Sequence, residues 1–142
     1  MIFVSACLLG ENCKYNGGNN DNQAVRDYVA DREYLAFCPE MAAGLSCPRS
    51  PCEILGQRVI NKLGQDVTAE FCAGAELAAG LCGEKGVKLA ILKEGSPSCG
   101  VHEIYDGSHT HRRIPGQGLT AQRLLALGIK CLSEEDIANG RY

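Results

Sequence analysis

The chain has 142 residues, a length that suits one domain, residues 1–142, with one full core. A hydrophobic content of 45% and a net charge of −3 are ordinary for a globular protein and give no global electrostatic case for nucleic acid. No apolar run reaches transmembrane length, and the N-terminal "MIFVSACLLGENC" lacks the basic start of a signal peptide, so a cytoplasmic protein with no membrane partner is expected.

In chain order, Ile2 to Ala6 reads as a short buried strand. A polar loop rich in Gly and Asn follows, and Asn20 or Asp21 is expected to cap a helix running to about Ala30. Tyr34 to Cys38 reads as the next strand, stopped by Pro39, and "PEMAAGLSCPRSPCEI" as a long proline-stiffened loop. Gln57 to Asn61 reads as a strand or hairpin arm. A helix opened by Asp66 or Thr68 should run through Leu81 and stop near Gly83. Val87 to Lys93 reads as a buried strand ending in the stiff turn "EGSPSCG", and "GVHEIYDGSHTHRRIPGQG" as a polar, basic segment. Thr120 should cap a helix ending at Gly128, Ile129 to Leu132 reads as the last strand, and "SEED" starts a terminal helix by the capping-box pattern.

Strands alternating with helices predict an α/β fold: a three-layer, Rossmann-like domain with a mainly parallel sheet. In such sheets ligands bind beyond the carboxyl ends of the strands. Three long loops should lie at that edge, and they begin "SAC", "FCPE" and "EGSPSC".

Nine cysteines are many for this length. An odd number and long helical patterns argue against a disulfide scaffold, so metal binding or catalysis in a reducing compartment is the better reading. Cys7, Cys38 and Cys99 each fall at, or just past, the carboxyl end of a strand. Three converging thiolates form a soft donor set suited to an iron–sulfur cluster or zinc; ordinary buried cysteines are the alternative. Cys13, on the same loop as Cys7, reads as a further ligand, a redox partner or a bystander. Cys72, Cys82 and Cys131 read as core residues, and Cys47 and Cys52 as the ends of a proline-stiffened loop.

Glu40 follows Cys38 and Pro39 at once, and reads as a general base or as a solvated loop residue. Ser96 is either a donor to substrate or part of a serine turn. Arg49 and Glu53 are expected to pair across the long loop. The glycines of "PGQGLTAQRL" open a helix and offer an anion cradle.

"VSACLLGENCKYNG", "FCPEMAAGLSCPRSPCEI", "LKEGSPSCG" and "PGQGLTAQRLLALGI" together resemble the DUF523 family of thiouracil desulfidases, over essentially the whole chain. The resemblance implies a [4Fe-4S] cluster held by three cysteines, with the fourth iron left open. The implied ligands are Cys7, Cys38 and Cys99, with Cys13 as the substitute. It further implies non-redox, hydrolytic C–S cleavage of a 2-thiouracil-like base or nucleoside, with the sulfur captured on the open iron. Glu40 would activate water and Ser96 would orient substrate or carry protons. Two other readings stay open: a non-catalytic iron–sulfur or metal-binding module that carries sulfur or acts on thiolated tRNA, and a thiol oxidoreductase using Cys7 and Cys13. Cys47 and Cys52 depart from the small residues expected of the family in that loop.

Overall fold

A computed structural model describes residues 1–142. Four parallel strands form the central sheet: β1 (Ile2–Ser5), β2 (Tyr34–Phe37), β5 (Leu89–Leu92) and β8 (Lys130–Ser133), in the order β2-β1-β5-β8. Two antiparallel hairpins sit apart from it, β3 (Cys52–Leu55) with β4 (Arg58–Asn61), and β6 (Glu103–Tyr105) with β7 (Arg113–Pro115). The helices are α1 (Gln23–Val29), the single turn α2 (Pro39–Ala42), α3 (Thr68–Lys85), α4 (Leu119–Ala126) and α5 (Glu134–Ala138).

Alternation along the strands sorts side chains to two faces. Phe3, Ala90 and Leu92 join Ala78, Cys82, Ala121 and Leu124 of α3 and α4 in one core cluster. Ile2, Val4 and Ile91 join Val25, Val29 and Ile137 of α1 and α5 in another. The molecule is therefore a three-layer α/β/α fold with a parallel sheet buried on both faces, as the βαβ pattern predicts.

Several boundaries differ from the sequence reading. Asn22, not Asn20 or Asp21, caps α1, accepting from Val25 N at 3.1 Å. Asp21 instead pairs with Arg26 at 2.6 Å. Helix α3 runs past Gly83 to Lys85, because the residue able to adopt the left-handed cap is Gly86, at φ 66°. The loop after Pro39 opens with the turn α2, where proline suits the first helical position. Thr120 is the second residue of α4 rather than its cap, and its hydroxyl lies buried 2.9 Å from Ser98 Oγ. The segment after Cys99 forms the β6–β7 hairpin. Its cations are largely matched: Arg113 reaches Glu103 at 3.4 Å and Glu135 at 3.2 Å, and His102 reaches Asp136 at 2.7 Å.

Two close approaches fix the backbone around the sheet's carboxyl edge. A Cβ on Gly74 of α3 would lie 2.4 Å from Pro39 O, so only glycine lets α2 rest against α3. A Cβ on Gly118 would lie 2.4 Å from the Ser98 carbonyl carbon, which brings the start of α4 onto the Ser-Pro-Ser-Cys turn.

Candidate active site

The strand order reverses between β1 and β5: β1 leads outward to β2, and the chain then crosses to β5 on the other side. This switch point opens a crevice at the carboxyl ends of the strands. A cavity of about 270 Å³ lies there, lined by Cys7, Cys13, Cys38 and Cys99. Cys7 sits in the 3-10 turn Ala6–Leu9 that follows β1, Cys38 immediately before α2, and Cys99 in the turn after β5. The three loops named from the sequence thus meet at one edge, and Cys13 joins them.

The four thiols differ in acidity. Hydrogen bonding from Cys13 lowers Cys7, helped by Asn20, whose Nδ2 donates to Cys7 Sγ at 3.4 Å, and by the charge of Lys93. Cys13 likewise lowers Cys38, to about 7, with a backbone N–H at Met41 and the Arg49 charge assisting. Cys13 itself is pushed up, because it gives its proton to the hydrogen bonds with Cys38 and Cys7. Burial pushes Cys99 up to about 12; the Ser5 hydroxyl opposes this, and the nearby Cys7, Cys38 and Glu40 add to it.

Glu40 and Ser96 also line the cavity. Glu40 Oε2 accepts from Arg49 Nη2 at 2.7 Å, and the same nitrogen donates to Cys13 O at 2.9 Å. Arg49, its side chain only 6% exposed, therefore ties the Cys38–Glu40 turn to the loop of Cys13. Glu40 Oε1 has no partner within the protein. Arg49 does not pair with Glu53, as the sequence suggested; Glu53 Oε1 accepts from Gly107 N and His109 N, anchoring the β6–β7 loop instead. Ser96 forms the serine turn: its Oγ accepts from Ser98 N at 3.1 Å and Cys99 N at 3.0 Å. Two accepted bonds leave the hydroxyl proton free to donate.

The expected anion cradle at the start of α4 is already filled. Gly118 N donates to Gly100 O, Leu119 N to Pro97 O, and Thr120 N to Ser98 O, at 2.9, 2.9 and 2.8 Å. The helix N-terminus thus holds the turn of Cys99 rather than a ligand. Cys72 is exposed, not core as expected, whereas Cys82 and Cys131 are buried as expected. Cys52 lines the cavity, and burial lifts it to about 11. Cys47 Sγ lies 3.2 Å from Asn12 O and 3.3 Å from Lys14 O, fastening two loops.

Sequence reasoning missed three residues at the site, Lys93, Glu94 and Tyr105. Lys93 ion-pairs with Glu134 at 3.1 Å. Glu94 is 2% exposed and holds three backbone N–H groups on one oxygen. Tyr105 reaches the cavity from the unforeseen β6–β7 hairpin, joined by His111 of the basic segment read from the sequence. The only signal for any of these was the charge pair "KE" at a strand end, which carries no indication of what it will face.

No three His, Cys, Asp or Glu side chains converge on a single-ion site. No helix is long and apolar enough to cross a membrane. The 2-thiouracil desulfurase family model matches residues 2–136. The chain is 35% identical to the protein YbbK of Bacillus subtilis (strain 168), over 96% of this chain and 97% of that one. Among solved structures it is similar to TudS, a [4Fe-4S]-dependent thiouracil desulfidase (DUF523), with 45% identity and a TM-score of 0.91, covering 97% of this chain and 93% of the other. Match to the family model over almost its whole length, joined to the same fold at this identity, places the chain in the 2-thiouracil desulfurase family.

Proposed function

We propose that the protein is a cytoplasmic, iron–sulfur-dependent desulfidase that replaces the thiocarbonyl sulfur of a 2-thiouracil-like base or nucleoside with oxygen from water. The observation that carries this reading is the meeting of Cys7, Cys38 and Cys99 around one cavity that Glu40 and Ser96 also face.

The donor set fits a [4Fe-4S] cluster. Such a cluster takes one thiolate per iron, so it needs thiols spread around a space rather than gathered at a point. The cavity meets that need, and its soft donors suit iron. Cys7, Cys38 and Cys99 would hold the cluster; Cys13, whose thiol proton bridges Cys7 and Cys38 in the free protein, is the substitute. When bound, a cluster with one iron free of protein ligands supplies a soft Lewis acid for a thiocarbonyl sulfur and an acceptor for the sulfide that leaves.

The chain's own residues supply the rest. Arg49 fixes the Glu40 carboxylate through Oε2, leaving Oε1 to take a proton from an attacking water. The oxygen adds to the polarised carbon, the C–S bond breaks, and carbon keeps its oxidation state. Ser96 orients the substrate through its free hydroxyl proton while its oxygen holds the Cys99 turn. Net, C=S and water become C=O and hydrogen sulfide. Thiolated tRNA is the polynucleotide form of the substrate; the net charge of −3 gives no broad basic surface to hold a phosphate backbone, so the base or nucleoside is the favoured form.

The test is anaerobic reconstitution with iron and sulfide, followed by sulfide release from 2-thiouracil, thionucleosides and thiolated tRNA. Release from the base or nucleoside supports the reading. A fully loaded protein that releases none overturns it.

A further inference from the structure

Glu94 is the most deeply buried acid in the molecule, 2% exposed, and the reaction sketched above gives it no task. Its surroundings hold it from three directions. The peptide N–H donates to Glu134 Oε1 at 2.7 Å, and the carbonyl accepts from Lys93 Nζ at 2.7 Å. Side-chain Oε1 accepts from three successive backbone N–H groups, Val101 at 2.8 Å, His102 at 2.8 Å and Glu103 at 3.0 Å. Successive N–H groups turned toward one point form an anion nest, and here the nest is filled by a side chain.

This clamp uses one oxygen only. Oε2 has no hydrogen-bond partner in the protein, and Glu94 lines the same cavity as Cys7, Cys99 and Ser96. Oε2 is thus an acceptor on a buried side chain that stays accessible from the cavity, where a donor from outside the protein can meet it. An oxygen immobilised by three bonds on its twin is also preorganised, which is what recognition of a single donor requires.

We propose that Glu94 Oε2 is the acceptor for the substrate's ring N–H beside the thiocarbonyl, making Glu94 a substrate-positioning residue. This rests on the desulfidase reading. A cyclic thioamide in its thione form carries C=S and N–H on adjacent atoms, one soft and one a donor. The residues lining the cavity include both complements, the thiols and the Glu94 carboxyl. Two-point contact sets the ring's rotation, so that the carbon faces Glu40 and not the cavity wall. The device predicts rejection of rings alkylated at that nitrogen, because such a ring loses the bond and leaves Oε2 unpaired.

The experiment compares wild type and Glu94→Gln, both reconstituted, on 2-thiouracil and its N1- and N3-methyl derivatives. Glutamine keeps its carbonyl oxygen on the three N–H groups and puts an NH₂ where Oε2 was, so a merely structural role is preserved. KM for 2-thiouracil should rise about 10- to 100-fold, the range for a hydrogen bond to a charged group, with kcat within about threefold and iron content unchanged. One N-methyl derivative should be penalised similarly in wild type and little further in the variant. Unchanged KM in Glu94→Gln, or a fall in kcat at constant KM, overturns the proposal. If the variant loses its iron, the wild-type comparison decides, and equal handling of all three rings overturns it. No sulfide from loaded wild type fails the desulfidase reading and this one with it; turnover without discrimination fails this one alone.

Discussion

Two groups of cysteines share this fold and differ in almost everything but the side chain. Cys82 and Cys131 lie among Ala78, Ala90, Leu124 and Ile129 in the core on the α3–α4 side of the sheet. Burial lifts them to about 11 and about 12, and no charged neighbour opposes it. Cys7, Cys13 and Cys38 lie at the strand ends, where Cys13 keeps its proton and donates it to the other two; Asn20 and Lys93 favour the thiolate of Cys7, and Arg49 that of Cys38. Cys99 belongs to both groups. It packs in the same core cluster as Cys82 and is lifted as high, yet it lines the cavity and interacts with Cys7 and Cys38. Position along the strand, more than acidity, therefore separates a candidate ligand from packing. A thiol this buried gives up its proton when a metal takes its place.

The largest break in the comparison comes from deleting the cavity thiols one at a time. Cys38→Ala or Cys99→Ala should lose bound iron and sulfide release altogether after anaerobic reconstitution, measured by iron assay and visible absorbance. Cys13→Ala should keep both if Cys7, Cys38 and Cys99 are the ligands. Loss of iron there, with retention in one of the other three, would move the assignment to Cys13.

Glu40→Gln tests the chemistry apart from the ligands. Removing a positioned base costs typically 10²- to 10⁴-fold, so kcat should fall by about that much with iron content intact. Arg49→Met should cost less, about tenfold or more, because Glu40 stays but loses the partner 2.7 Å away that orients it. Equal turnover in Glu40→Gln and wild type would remove Glu40 from the mechanism.

Titration of the cluster-free protein sharpens the contrast between thiols. Cys38 has a folded pKa of about 7 against an ordinary 9.0. Between these values the unfolded chain binds the extra proton, so this group's contribution to stability is full above about pH 9 and is lost as pH falls through 7. Cys99, raised to about 12, contributes in the opposite sense: fully below 9.0, and lost as pH rises toward 12. The Tm difference between wild type and Cys38→Ala should therefore grow from pH 6.5 to 9. Alkylation mapped by mass spectrometry should reach half its maximal rate at Cys38 near pH 7, with Cys82 and Cys99 unmodified. A flat difference and equal labelling would show that the shared Cys13 proton does not set the acidity of Cys38.

How much of this was legible in the sequence follows from the range of the forces involved. The four parallel strands announce themselves by short apolar runs, and the order of elements dictates a parallel sheet, so the edge where Cys7, Cys38 and Cys99 meet was readable without coordinates. Glu40 and Ser96 were readable because they adjoin those cysteines. Arg49 was assigned the wrong partner, since Glu53 is the nearer acid along the chain and only the fold of the loop brings Glu40 to it instead. Glu94 was in plain view beside the Ser-Pro-Ser-Cys turn, but its meaning depends on residues 101–103 curling back to offer their N–H groups, which no periodicity signals. The β6–β7 hairpin escaped for a related reason: three-residue strands amid His, Ser and Gly carry too few apolar positions to show alternation.

The smallest expected effect is the most direct check on the core half of the comparison. Cys82 is 1% exposed and lies among apolar neighbours. Truncation to alanine removes one buried sulfur, worth about 1 kcal/mol with the small void it leaves, which lowers Tm by about 3 °C for a chain of this size. Cys82→Ser has nearly the same volume but buries a hydroxyl in an apolar cluster, and should cost more, about 1–3 kcal/mol. Both variants should retain full iron content and wild-type kcat and KM. If serine were the milder change, Cys82 would have a polar partner that the packing does not show. If either variant lost iron in proportion to activity, the division between core and cavity thiols would fail at the residue where it is drawn most sharply.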